Sequence, residues 1–263
     1  MDLDIEGNAA LVTASSSGLG QASAKALARE GANVVVNGRS DESVAEGVEA
    51  VEEVATGDVV GVKADLTETE DIENLVQTTV DEFGGLDHLV TSAGGPPSGP
   101  FLDTTDEDWY DAYDLLVMSV VRTVREATDH LQAGDGGTIV NITSRSVKEA
   151  IPSLVLSNSV RMSVIGLEKT LSTELAPEVR ANAVLPGPHE TSRIQDLIDQ
   201  GVERGDYDSY EHGLEERGKG NPLGRIGDPM ELGDTVAFLS SPKSGYINGT
   251  AVPIDGGAGS SNL

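Results

Sequence analysis

Short runs of apolar, largely β-branched residues alternate along this chain with longer stretches whose apolar positions recur every three or four residues. The first kind reads as strands buried on both faces and the second as helices packed by one stripe, the alternation that βαβ units and a parallel sheet produce. Strands are predicted at residues 9–13, 34–37, 59–63, 86–92, 138–143, 180–185 and 251–254. Helices are predicted at 21–30, 42–53, 69–83, 106–131, 155–176 and 229–239, with Gly31 and the Gly84-Gly85 pair as stop signals. Right-handed crossovers then give an α/β fold, a doubly wound sheet of seven parallel strands with helices on both faces and ligands at the C-terminal strand ends. From about 190 to 221 the apolar periodicity fades, which predicts a polar, mobile lid with one or two short helices. No repeat or linker interrupts the pattern, so residues 1–263 read as one domain.

Charge narrows the partners. The chain has 45 acidic and 17 basic residues, a formal net charge of -28. The acids are spread throughout, as in Asp41, Glu42, Glu52, Glu53, Glu215 and Glu216. Nucleic acid and anionic membranes are thereby excluded as partners, and the surface suits high salt, where screening removes self-repulsion. The absence of cysteine excludes disulfides and thiolate chemistry. His88, His130, His189 and His212 lack paired ligand spacing, so no metal site is expected. No apolar run has membrane-spanning length and no basic, apolar leader opens the sequence, which predicts a cytoplasmic location.

Candidate chemistry begins in the turn after the first strand, Thr13-Ala14-Ser15-Ser16-Ser17-Gly18-Leu19-Gly20. Gly18 and Gly20 let the backbone approach a diphosphate at the N-terminus of the next helix, the mark of a Rossmann-type dinucleotide domain. The second strand runs into Gly38-Arg39-Ser40. A guanidinium there can bond a ribose 2′-phosphate, where an acid would take the free 2′-hydroxyl, so NADP(H) is favoured over NAD(H). Asp41 and Glu42 stand close enough in sequence to neutralise Arg39, which is the alternative.

With Thr13 opening it, this turn resembles the Thr-Gly-x-x-x-Gly-x-Gly pattern of the short-chain dehydrogenase/reductase family, except that Ala14 replaces a Gly. A methyl at that place fits only where φ stays negative. Asp65-Leu66 is similar to the family's adenine-contacting Asp, and Thr91-Ser92-Ala93-Gly94 resembles its Asn-Asn-Ala-Gly. Pro186-Gly187, Pro222-Leu223-Gly224-Arg225, Tyr246-Ile247-Asn248-Gly249 and Asp255-Gly256-Gly257 carry the resemblance to the C-terminus, and it is strongest to 3-oxoacyl carrier-protein reductases. The resemblance implies cofactor contacts from Thr13, Ser15, Ser17, Gly18, Leu19, Gly20, Arg39, Ser40, Asp65, Leu66, Ser92, Ala93, Gly94, Arg161, Pro186 and Gly187. It also implies a small-molecule substrate and a homodimer or homotetramer built on helices 106–131 and 155–176.

In that family a Ser polarises the substrate carbonyl and a Tyr donates the proton. A Lys four residues later lowers the Tyr pKa and holds the nicotinamide ribose, and an Asn orders a water relay. Here Ser144 keeps the Ser place, while Ser157 stands for the Tyr, Arg161 for the Lys and Leu116 for the Asn. A serine hydroxyl is a far weaker proton donor than a tuned phenol, and Arg161 can hold ribose hydroxyls but cannot relay a proton. Hydride transfer needs proximity and a polarised carbonyl, so losing the acid costs about 10²- to 10⁴-fold in rate rather than all activity. Lys148 and His189 are candidate substitute acids, and Tyr207 or Tyr210 could enter with the lid. Two readings stand open: an NADP(H)-dependent oxidoreductase acting on a carbonyl or secondary alcohol, with a 3-oxoacyl thioester as one candidate, and a non-catalytic dinucleotide-binding sensor or scaffold. A lyase or isomerase using the same pocket without net redox change is a third.

Overall fold

A computed structural model describes residues 1–134 and 136–261. Its strands are β1 (Ala9–Val12), β2 (Asn33–Gly38), β3 (Val59–Lys63), β4 (His88–Thr91), β5 (Gly137–Ile142), β6 (Val179–Pro186) and β7 (Ala251–Ile254). All pair in parallel in the order β3-β2-β1-β4-β5-β6-β7. The two-residue period of a strand divides the core between the faces. Leu11, Val35, Leu89 and Ile139 point to one side, against α3 (Thr69–Phe83), α5 (Ser119–Leu131) and α6 (Val155–Glu174). Ala10, Val12, Val34, Val36, Val90 and Val140 point to the other, against α1 (Gly18–Arg29) and α9 (Pro229–Ser240). Fully burying a Val or Leu contributes about 1.5–3 kcal/mol, which is why these continuous apolar runs settle in the middle of the sheet. Strand order runs outward from β1 in one direction and from β4 in the other, so a crevice opens between their C-terminal ends.

Two elements depart from the sequence pattern. Helix α1 begins at Gly18, not at residue 21, because the glycine turn is itself the first helical turn, with Ser17 as its extended N-cap. The 106–131 stretch is α4 (Asp106–Tyr113), a π-helical turn at Asp114–Met118, and then α5. One inserted residue shifts the hydrogen-bond register while Leu116, Val117, Val120 and Val124 stay buried, so the apolar stripe does not betray it. The 190–221 segment holds two helices, α7 (Ser192–Arg204) and α8 (Tyr210–Gly218), within the one or two expected, and α2 (Asp41–Glu52) connects β2 to β3. Among the described residues no helix is long and apolar enough to cross a membrane.

Candidate active site

The crevice at the switch point is a cleft of about 890 Å³. One wall is the β1–α1 turn, and Asn37 at the end of β2 builds it. Its carbonyl accepts from the amides of Ser15 and Ser16 at 2.8 and 3.0 Å, and its Oδ1 accepts from the amide of Ala14 at 2.9 Å. Its Nδ2 donates to the carbonyls of Val62 and Ala64 at 3.3 and 3.2 Å, which fixes the amide against β3. This clamp overrides the local preference of Ala14: its φ is +46°, not negative, at a cost of about 1 kcal/mol for the left-handed backbone. Gly18 has φ +61°, and a Cβ on Gly20 would lie 2.4 Å from the Ala14 carbonyl oxygen. No side chain therefore fits at Gly20 while this turn keeps its path.

Ser17, Gly18, Leu19, Gly20, Arg39, Asp65, Leu66, Ser92, Ala93, Gly94 and Arg161 all line the cleft. Thr13, Ser15, Ser40, Pro186 and Gly187 are not among its lining residues, and each holds a neighbour instead. Thr13 Oγ1 donates to the Ser92 carbonyl at 2.6 Å and accepts from the Ser92 amide at 2.8 Å, tying β1 to β4. Ser15 Oγ donates to the Val12 carbonyl at 2.6 Å and accepts from the Asn37 amide at 2.9 Å. Ser40 caps α2 by accepting from the Ser43 amide at 3.2 Å. Gly187 lies so close to Asp255 that a Cβ would be 2.7 Å from that side chain, and with Pro186 it leads the chain toward Thr191 and Ser192, which do line the cleft.

Arg39 is exposed and forms no ion pair among the described residues. Asp41, its sequence neighbour, is drawn to Lys63 at 3.3 Å. Asp65 accepts from the Thr67 amide at 2.9 Å and the Thr67 hydroxyl at 2.7 Å, bonds that hold its carboxyl below the usual range. Arg122 donates to the Thr67 carbonyl at 3.2 Å and to Asp114 at 2.8 Å, which braces the π-helical turn against the β3 end of the cleft.

The other end is built from the segment after β5 and from α6. Ser144 opens a 3₁₀ turn, Arg145–Val147, and its Oγ accepts from the Ser146 amide at 3.1 Å. Ser157 is 8% exposed, its Oγ 3.2 Å from that of Ser146. Ser144 and Ser157 stand outside the cleft lining, while Thr143 and Arg161 are in it. Arg161 Nη2 donates to the Gly94 carbonyl at 3.1 Å, and burial lowers its guanidinium to about 10, still cationic at neutral pH. Leu116 is packed in the core and offers no polar atom.

The alternative donors lie as follows. His189 is buried, with Nδ1 at 2.9 Å from the Gly187 carbonyl and its ring against Gly227, and burial lowers its pKa. Lys148 is exposed at the end of the 3₁₀ turn. Tyr210 donates to Glu190 at 2.7 Å, and burial together with that bond pushes its hydroxyl up to about 12, away from useful acidity. Tyr207 sits edge-on to His212. Among the described residues no group of three or more His, Asp or Glu is placed to hold a metal ion.

Sequence reasoning did not single out Ser16, Asn37, Thr67, Asp111, Asp114, Thr143, Thr191 and Ser192 as lining residues. A hydroxyl pair at the start of a helix just after Pro186-Gly187 was the available signal for Thr191 and Ser192. For Asp111 on α4 and Asp114 in the π-helical turn there was none.

Comparison with known proteins agrees with this geometry. Residues 13–259 match the family model described as enoyl-(acyl carrier protein) reductase. The chain is 32% identical over 262 residues to the uncharacterized oxidoreductase YvrD of Bacillus subtilis, covering 98% of each. It is 32% identical over 250 residues to a 3-oxoacyl-[acyl-carrier-protein] reductase of Synechocystis, covering 94% of this chain and 95% of that one. The solved L-sorbose reductase of Gluconobacter frateurii, complexed with NADPH and L-sorbose, superposes with a TM-score of 0.93 at 28% identity, over 99% of this chain and 100% of the other.

Proposed function

The chain belongs to the short-chain dehydrogenase/reductase family and is an oxidoreductase of that type, and from that premise we propose that it reduces a carbonyl with NADPH, with the Arg161 cation in the place of the family's Lys and no phenol in the place of its Tyr. The observation that carries this reading is Arg161: a cation in the cleft lining with no carboxylate partner among the described residues. A non-catalytic role gains no support from relatives that are oxidoreductases.

The residues present fit a dinucleotide. The turn from Ser16 to Gly20 offers hydroxyls and a side-chain-free backbone for the diphosphate, at the positive end of α1. Arg39, unpaired beside the capped start of α2, would hold a 2′-phosphate. Asp65 and Leu66 would flank the adenine, and Ser92, Ala93, Gly94 and Arg161 would hold the second ribose. The reduced nicotinamide, when bound, supplies the hydride.

Ser144 accepts one hydrogen bond from the Ser146 amide and so keeps its own proton free to donate to a carbonyl oxygen. Arg161 places a fixed positive charge near the oxygen on which negative charge develops, a contribution that grows in a water-poor site. Ser157, turned toward Ser146, holds that hydroxyl and does not act as the acid. The proton comes from water.

The test is the fluorescence of NADPH bound to near-stoichiometric protein in molar KCl, followed as a panel of ketones and 3-oxoacyl thioesters is added. Enhanced emission that decays with a substrate is expected. Emission that is enhanced and never decays across the panel would favour the binding-only reading. The molar salt reflects the acidic surface, whose repulsion we infer makes the fold more stable in KCl than in dilute buffer. A cytoplasmic homo-oligomer accords with this reading, since α4 and α6 pack together and expose Tyr110, Tyr113 and Met162.

A further inference from the structure

The segment that carries Ser144 is a short turn with few hydrogen bonds of its own. It is closed by the Val147 amide on the Ser144 carbonyl at 3.2 Å and the Lys148 amide on the Arg145 carbonyl at 2.9 Å. A three-residue 3₁₀ turn does not fix its own orientation, so the contacts around it must. One side is held by α6: Ser157 meets Ser146, and the Asn158 amide embraces Ile151, its Oδ1 accepting from the amide at 3.1 Å and its Nδ2 donating to the carbonyl at 2.9 Å.

The other side is held by the far end of the chain. Arg145 Nη1 donates to Glu149 Oε1 at 2.9 Å. Glu149 Oε2 accepts from the Ser260 amide at 3.0 Å and from the Ser260 hydroxyl at 2.8 Å. The Glu149 carboxylate thus bridges Arg145, the residue next to Ser144, and Ser260, which lies 111 positions beyond Glu149 itself. The tail is bent toward it by Asp255, whose Oδ1 and Oδ2 accept from the amides of Gly257 and Gly259 at 3.0 and 2.9 Å. Asn221, closing the 190–221 segment, donates to the Asp255 carbonyl at 2.8 Å.

We propose that Glu149 is a positioning residue that makes the C-terminal tail part of the active site, because Ser260 docked on Glu149 holds Arg145 and thereby the turn that aims Ser144. Bonds to an ionised acceptor are the stronger kind, and here three donors converge on one carboxylate. The tail contributes no reacting group. Its effect passes through Glu149 and Arg145 to the orientation of the Ser144 hydroxyl, and it leaves the cofactor wall on β1, α1 and β2 untouched. The inference deepens the proposed function and rests on it only for the kinetic readout.

Hydrogen–deuterium exchange on the full chain tests it without turnover, using wild type, Glu149→Ala, Ser260→Pro and the double variant. Ser260→Pro removes both donors, since proline has neither an amide hydrogen nor a hydroxyl. Each single change is expected to raise exchange at residues 144–151 severalfold, Glu149→Ala is expected to raise it at 255–261 as well, and the double variant is expected to add nothing further. With a substrate that turns over, kcat is expected to fall about tenfold, the size of one lost orienting contact, while NADPH affinity stays at the wild-type value and Ser260→Thr retains wild-type kcat. A tail as protected in Glu149→Ala as in wild type, or a 144–151 segment unmoved by Ser260→Pro, overturns the proposal. If no panel member is reduced, the proposed function fails alone, and the exchange data still decide for or against the clamp.

Discussion

One end of the cleft is lined by backbone and glycine, and the other by individual side chains. The β1–α1 wall is held by Asn37, whose one residue satisfies three amides of the turn and two carbonyls of the neighbouring strand segment. The Ser144–Arg161 end has no such single keystone, and its character depends on which groups stand at four positions. A backbone site survives wide sequence change as long as its spacing is kept, whereas a side-chain site changes its chemistry with each residue that stands in it, which is what the proposed roles of Ser157 and Arg161 suppose. The two ends are therefore expected to respond differently to substitution.

The largest effect is expected at the backbone end. Gly20→Val places atoms inside the Ala14 carbonyl, with the Cβ alone at 2.4 Å, so the turn has to move. Stability should fall on the order of 3 kcal/mol or more and NADPH binding should be lost, read by thermal unfolding and fluorescence titration in molar KCl. Retained binding would show that the wall is less rigid than the Asn37 clamp requires.

Next in size is a pH effect on α6, the helix that carries Ser157 and Arg161. Glu168 is 1% exposed, its Oε1 has no hydrogen-bond partner among the described residues, and burial pushes its carboxyl up to about 7 from 4.5. A raised folded-state pKa contributes stability that is present below the unfolded value and lost as pH climbs through the folded one. Wild-type stability should therefore drop between about pH 4.5 and pH 7 by roughly 3 kcal/mol from this group, and Glu168→Gln should remove that slope in denaturant titrations. An unchanged slope would place the titration elsewhere.

Arg39→Ala is expected to weaken NADPH binding about 10- to 100-fold, the worth of one or two charge-assisted bonds, and to leave NADH binding unchanged. Equal loss for both cofactors would mean that Arg39 does not read the 2′-phosphate. The smallest effect is Ala14→Gly, which relieves a positive φ and should raise stability by up to about 1 kcal/mol, part of it offset by the freer unfolded chain. A loss of stability there would show that the methyl packs usefully.

Much of the fold was legible because buried parallel strands write themselves as continuous apolar runs, and Val34 to Val36 or Ile139 to Val140 admit few other readings. The glycine turn was legible for the same reason: Gly18 and Gly20 stand at a fixed spacing between a strand and a helix. Ala14 was misjudged because its conformation is imposed from 23 residues away by Asn37, a contact that no local rule contains. The π-helical turn at Asp114–Met118 escaped notice because an inserted residue leaves the apolar stripe intact. The clamp from Glu149 to Ser260 joins two segments 111 residues apart that only the folded sheet brings together.

In the proposed reaction a fixed charge at Arg161, with no side-chain acid at Ser157, carries the reduction. Single-turnover oxidation of bound NADPH by a reducible ketone, compared among wild type, Ser157→Ala and Arg161→Met, tests it most directly. Ser157→Ala is expected to stay within about tenfold of wild type, the most that its one hydrogen bond to Ser146 should be worth. Arg161→Met should weaken NADPH binding through the lost ribose contact and, with NADPH saturating, should lose a further 10²- to 10³-fold or so in the rate of oxidation, as when a group stabilising developing charge is removed. Abolition of turnover by Ser157→Ala, together with retention by Arg161→Met, would contradict it.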